Sequence, residues 1–296
     1  MNYTYVVPAV FAQDEYSFGQ RIILSASARL DVHNKYGVLF NPRLSALFRL
    51  PQKFTARLSA GTGVFAPTPF TEETEAVGLS KLMPLKNIKE ERARSASGDL
   101  GWSSPHIELN ATLFGSVIRD PIMLRSAVSG TTGAFEIVNA NGPTRTIGSE
   151  FLARLHGGDF GLVLTHTFVQ SSAIDREQKI RALVPLTPKH TAGLVGTWER
   201  EQQWRVGIEM FYTGRQRLED NPFRNNSVPY HVFGILVERY FGPLRIFLNG
   251  EDLKNVRQTR YDPLLRSQPN FDGRWTVDEW APLEGRVING GFRISF

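Results

Sequence analysis

Six histidines, at 33, 106, 156, 166, 190 and 231, are the imidazoles that could serve as general bases or metal ligands. None stands four residues from another, and no other ligand spacing links them, so the sequence points to no metal site. Cysteine is absent, which removes disulfides, thiolate zinc sites and cysteine nucleophiles together. The run "TEETE" at 71–75 groups three carboxylates, and its chemistry is that of a solvated or divalent-bridging acidic patch rather than of a paired acid and base. "GTG" at 61–63 is no phosphate cradle, because no helix with the required glycine spacing follows it. No Ser, His and Asp grouping converges along the chain. The expectation is a protein without catalytic residues, metal or cofactor.

Arginine and aromatic residues offer a different chemistry. Phe65 and Phe70 fall in one long irregular segment, Arg217 and Arg224 in a later one, and Arg260, Tyr261, Trp275 and Trp280 in the last. Guanidinium forks suit anionic chelates and flat rings suit bulky ligands, so these eight are the candidate ligand contacts. Trp275 and Trp280 have a second reading, as side chains that pack within their own loop or join an aromatic belt.

The elements that would carry these loops are strands. In "QRIILSASARLDV" (20–32), Ile22, Leu24, Ala26, Ala28, Leu30 and Val32 share one parity, while Arg21, Ser25, Ser27, Arg29 and Asp31 hold the other. "KFTARLSAG" (53–61), "HIELNATLFGSV" (106–117) and "QQWRVGIEMFYTG" (202–214) repeat the alternation, and helical periodicity is scarcely seen. Thirteen such segments are expected: 3–14, 19–33, 38–50, 53–63, 91–102, 106–118, 135–156, 159–170, 188–199, 203–214, 228–240, 243–251 and 285–296. The spacers alternate strictly. Short ones fall at 16–18, 51–52, 103–105, 157–158, 200–202 and 242–243, and long ones at 64–90, 119–134, 171–187, 215–227 and 252–284, with 34–37 a shorter member of the long set. A soluble propeller or solenoid has no reason to gather its long loops at one end, and no blade-length repeat is present. An antiparallel transmembrane β-barrel has short turns at one rim, long loops at the other and apolar residues facing lipid, so the fold class expected is all-β barrel.

Composition agrees. The 296 residues are 41% hydrophobic and 21% charged, enough for a folded chain. Runs such as "VVPAVFA" (6–12) are far short of the roughly 20 residues of a spanning helix. Residues 1–20 hold Asp14 and Glu15 without a basic leader, so they do not read as a secretory signal. The net charge of +5 comes from scattered arginines with no nucleic-acid module, so nucleic acid is not expected as a partner.

Three stretches carry a family resemblance. "NPRLSALFRLPQKFTARLSAGTGVFAPTPFTEE" (41–73) resembles the strand, turn, strand and loop entry of TonB-dependent outer-membrane receptors, with Gly61, Gly63, Phe65, Ala66 and Pro67 matching a "GxxFRAP"-like element. Val64 stands within it, and no arginine accompanies the phenylalanine. "NGEDLKNVRQTRYDP" (249–263) is similar to the "ENLFNxxY" element before the last external loop, and "RVINGGFRISF" (286–296) to the closing strand. The resemblance implies an outer-membrane location in a Gram-negative-type bacterium, contact with outer-membrane lipid, and a terminal Phe296 read by barrel-assembly machinery. It also implies transport of a scarce nutrient, of siderophore-iron or cobalamin type, through coupling to the TonB complex. Barrels of this kind have about 22 strands and a plugged lumen. Thirteen strands counted back from Phe296 would start the chain at the outer face, so residues 1–296 are expected to be a single carboxyl-terminal portion of the barrel without its plug domain. A porin-like or enzymatic outer-membrane barrel is the alternative.

Overall fold

The computed structural model describes residues 4–71, 74, 78–127, 134–175, 179–270 and 273–295, and they are almost entirely antiparallel sheet. The strands are β1 (Ala9–Phe18), β2 (Ile22–His33), β3 (Gly37–Arg49), β4 (Phe54–Phe65), β5 (Glu91–Ser103) and β6 (Ile107–Arg119). A short hairpin follows, β7 (Ile122–Ser126) with β8 (Phe135–Asn139). The sheet resumes with β9 (Thr144–Gly157), β10 (Phe160–Ile174), β11 (Arg181–Leu183), β12 (His190–Arg200) and β13 (Trp204–Thr213). It ends with β14 (Tyr230–Phe241), β15 (Leu244–Glu251) and β16 (Val287–Ile294). One path of hydrogen-bonded neighbours runs β1-β2-β3-β4-β5-β6-β9-β10-β12-β13-β14-β15-β16, with β11 paired to β10 alone and the β7-β8 hairpin a separate sheet. Among the described residues β1 and β16 are the two edges of this open wall.

Register carries one parity across the whole wall. Leu58 lies opposite Ala46 and Gly98, Leu113 opposite Gly98 and Ser149, Leu162 opposite Leu155 and Gly196, and Leu248 opposite Val237 and Gly290. Leu58 is 58% exposed and Leu113 69%, far too much apolar surface for a face in contact with water. The opposite parity holds Ser45, Ser59, Ser97, Asp99, Thr112 and Glu150. This is the wall of a transmembrane barrel, with an apolar outer face and a polar inner one.

At the short-turn rim the outer face becomes aromatic. Phe54 lies 6.4 Å from Trp102, Phe160 stacks on Trp198 at 6.0 Å, and Trp204 lies 4.4 Å from Trp198 with the Arg239 guanidinium 5.7 Å above its ring. Such rings suit a boundary between hydrocarbon and water. The compact apolar packing, by contrast, sits in the long loops: Leu82, Ile88, Leu124, Phe135 and Ile137 bury one another around the β7-β8 hairpin.

Two expected boundaries are corrected. The first strand was expected at 3–14 with a turn at 16–18, but β1 runs to Phe18, because Tyr16 and Phe18 continue the outer parity against Leu24 and Ile22. Gly19, with φ of 60°, then takes the left-handed conformation of the turn. The expected segment 135–156 divides into β8 and β9, because residues 140–143, "ANGP", break the alternation. The first piece pairs with β7 outside the wall, so the wall still follows a thirteen-strand path.

The parity assignment predicts unequal costs for neighbouring positions. Leu58→Arg in mid-band should cost about 2–4 kcal/mol in urea unfolding from lipid vesicles, and Ser59→Arg less than about 1 kcal/mol. Equal costs would mean that the two faces are misassigned.

Candidate functional site

The three long loops that follow β10, β13 and β15 are tied together at one rim by arginines and buried amides. Arg217 donates through Nη2 to Asp175 Oδ2 at 2.5 Å and through Nη1 to the Leu183 carbonyl at 2.9 Å. One guanidinium therefore fastens the loop after β13 to both ends of the loop after β10. Arg224 donates to Asp262 Oδ1 at 2.7 Å, and its guanidinium lies 5.6 Å over the Trp280 ring. Asp262 is a buried carboxylate, and its Oδ2 lies 2.5 Å from Arg224 Nε as an ion pair.

Trp280 is the centre of this knot. It is 3% exposed, packs with Leu218 and Ala281 against Val228 and Tyr230, and lies 5.5 Å from the Tyr261 ring. Gln258, wholly buried, accepts from the backbone N–H groups of Trp280 and Ala281 at 2.7 and 3.2 Å and donates to the Asp278 carbonyl at 2.9 Å. Gln216 adds a bond from Nε2 to the Trp280 carbonyl at 3.1 Å. Of the eight sequence candidates, the structure thus gathers Arg224, Tyr261 and Trp280 in one cluster, with Arg217 one link away. Trp280 is buried, and Leu218, Val228 and Arg224, all from the chain between β13 and β14, pack around it.

The other four candidates are exposed. Arg260 is exposed at the end of a 3-10 turn, and Trp275 is 56% exposed. Phe65 ends β4, and Phe70 stands 69% exposed in the loop beyond it. The base of that loop is pinned where Tyr36 donates its hydroxyl to the Pro67 carbonyl at 3.0 Å. Burial, followed by the electrostatic influence of Tyr5 and Glu90, pushes the Tyr36 hydroxyl up to about 12, so it remains a donor at any physiological pH. Of the acidic run at 71–75, Glu72, Glu73 and Glu75 lie outside the described residues, as does Phe296.

Several site features have no signal in the sequence. Strand register sets His166 Nε2 3.2 Å from His190 Nδ1 and brings the His106 and His156 rings to 6.0 Å, although 24 and 50 residues separate the partners. On the inner side, beneath the last loop, a cavity of about 950 Å³ is lined by Glu209, Glu251, Asp252, Glu279, Glu284 and Trp280. Asp252 is buried, and among the described residues its two carboxylate oxygens have no hydrogen-bond partner. The lining has carboxylates and no lysine or arginine, so its chemistry favours cationic groups. Among the described residues, no three His, Asp or Glu side chains converge on a point that could hold a metal ion.

Gln258→Ala would orphan two buried N–H groups, at about 1–3 kcal/mol, and so raise local opening of the last loop roughly 10- to 100-fold. Trypsin cleavage at Arg260, Arg266 and Arg274 should accelerate accordingly. Arg260→Ala should leave cleavage at the other two sites unchanged, and an unaltered rate in the glutamine variant would refute the knot.

The family model described as "TonB dependent receptor-like, beta-barrel" matches residues 2–253. No curated protein sequence matches the chain. Among solved structures, the ferric enterobactin receptor PfeA of Pseudomonas aeruginosa is similar at 16% identity and a TM-score of 0.75, over 99% of this chain and 45% of that one. The ferric-catecholate import receptor Fiu of E. coli K12 is similar at 14% identity and 0.71, over 99% and 45%. The siderophore receptor PirA of Acinetobacter baumannii is similar at 15% and 0.74, over 99% and 46%. The chain therefore spans somewhat less than half the length of these receptors. With a family match over most of its length and a wall that superposes on theirs, the chain belongs to the TonB-dependent receptor-like β-barrel family.

Proposed function

We propose that this chain forms barrel wall and external loops of an outer-membrane transporter for a scarce nutrient, of the iron-chelate class, in a Gram-negative-type bacterium. The observation that carries the reading is the family match over residues 2–253. The similar structures named for ferric enterobactin, ferric catecholates and siderophores support the iron-chelate class over the cobalamin class. The role is transport rather than catalysis. Its partners are outer-membrane lipid, barrel-assembly machinery acting at the terminal strand and Phe296, the TonB complex, and the small chelate itself.

The eight candidate residues divide by role in this reading. Phe65, Phe70, Arg260, Tyr261 and Trp275 contact the chelate, because each is exposed. Arg217, Arg224 and Trp280 hold the loops that present them, because their polar or aromatic groups are already engaged.

Deleting the gene should abolish accumulation of radioactive iron from one ferric chelate while leaving uptake of free iron unchanged, and restoring it should rescue uptake. Trp275→Ala or Arg260→Ala should weaken binding of that chelate to cells about 10-fold, consistent with loss of one good ring or guanidinium contact. If the deletion strain takes up every ferric chelate offered at the parental rate, the iron-transport reading is wrong.

A further inference from the structure

On the outer parity of β5, β6 and β9 the two rims differ in charge. Their short-turn rim carries Trp102, Leu109 and Leu155 and no charged residue, whereas their long-loop rim carries Arg92, Arg94, Arg119 and Arg145, all exposed. Arg92 lies directly opposite Arg119, and Arg94 and Arg145 flank Val117 from either side. Like charges opposite one another in a sheet repel, so four guanidinium groups on three adjacent strands call for a counter-anion. The protein supplies one: Glu90 pairs with Arg92 at 2.5 Å. Among the described residues, the side chains of Arg94, Arg119 and Arg145 have no ion pair or hydrogen bond.

Height identifies the counter-anion. Arg94 lies 8 residues along β5 from the girdle residue Trp102, and Arg92 lies 10. With a rise of about 3.3 Å per residue and a tilt near 40°, these are roughly 20 and 25 Å above the aromatic rim. An outer-membrane apolar band is about 25 Å tall. Between the two levels the outer face of these strands is uncharged: Leu100, Gly98 and Ala96, then Ala111, Leu113 and Gly115, then Phe151, Ser149 and Ile147. The arginines therefore stand where hydrocarbon ends and lipid headgroups begin.

We infer that Arg94, Arg119 and Arg145 form a docking site for the phosphomonoester headgroup of an anionic lipid in the leaflet on the long-loop side. The site rests on the membrane placement of the wall and is independent of the transported solute. A lipid phosphate supplies three acceptor oxygens that guanidinium forks can share, and its acyl chains lie down the apolar strip beneath.

The test uses the full chain refolded in dodecyl maltoside, with folding checked by heat-modifiable gel mobility, and native mass spectrometry to count retained lipid. Phosphatidic acid should be retained at least about 10-fold more strongly than phosphatidylcholine. R94Q/R119Q/R145Q should lose that preference, while R43Q/R57Q/R293Q, an equal charge change on the inner face, should keep it. Loss in both triple variants, or equal retention of the two lipids by the native chain, would overturn the site. Inorganic phosphate that binds as tightly as the lipid would replace it with a soluble-anion site. If the outer triple variant does not fold, the native-chain comparison and R145Q alone decide. Failure of the native chain to enter lipid vesicles would refute the membrane placement itself, whereas entry without lipid preference would refute the site only.

Discussion

The antiparallel hydrogen-bond ladder is the interaction on which the rest of this molecule depends. In hydrocarbon no water is present to satisfy a free N–H or C=O group, so a strand that crosses it must be hydrogen-bonded along both of its sides. The ladder does more than satisfy the backbone. Because side chains alternate with a period of two, each register sets which residues face lipid, and a slip of one residue would exchange Leu58 for Ser59 on the outer face. Twelve consecutive pairings along the thirteen-strand path keep the same parity, which is why an apolar strip, an aromatic rim and an arginine rim each stay continuous across strands far apart in sequence.

The wall has no interior core of its own, and the consequence is visible in the loops. Ordinary burial is found around the β7-β8 hairpin and around Trp280, both at the long-loop end. The outer parity of the wall is exposed apolar surface, whereas the long loops are held by their own contacts. Arg217 with Asp175, Arg224 with Asp262, and Gln258 with the Trp280 backbone supply those contacts. A guanidinium buried against a carboxylate is costly to break, so these arginines act as fixed posts. Between the posts, Phe70, Tyr261 and Trp275 stay exposed.

Charge is distributed by face as well as by height. The inner cavity beneath the last loop is acidic, while the outer rim of β5, β6 and β9 is basic. These opposite fields lie on the two faces of one sheet and close to one end, so they face different surroundings. Net charge alone, at +5, conceals this separation.

Alternation and spacer length were legible without coordinates because both are local properties of a strand and its turn. The thirteen-strand wall and the strict succession of short turns and long loops follow from them, whereas the family was legible through the resemblance of 41–73, 249–263 and 286–296. Boundaries were less legible: Tyr16 and Phe18 read as turn residues until the neighbouring strand showed them on the outer face. The segment at 135–156 was divided by a hairpin partner, Ile122–Ser126, that no periodicity announced. Among the candidate residues, composition found the arginines and rings of the long loops but could not sort posts from exposed contacts, because that depends on Asp175, Asp262 and Gln258, 42, 38 and 22 residues away from Arg217, Arg224 and Trp280. Which residues alternate and where the chain turns can be read from neighbouring residues alone. Which side chains meet, as in Arg92 beside Arg119 and His166 beside His190, depends on the folded wall, because cross-strand register joins residues that the chain order keeps apart.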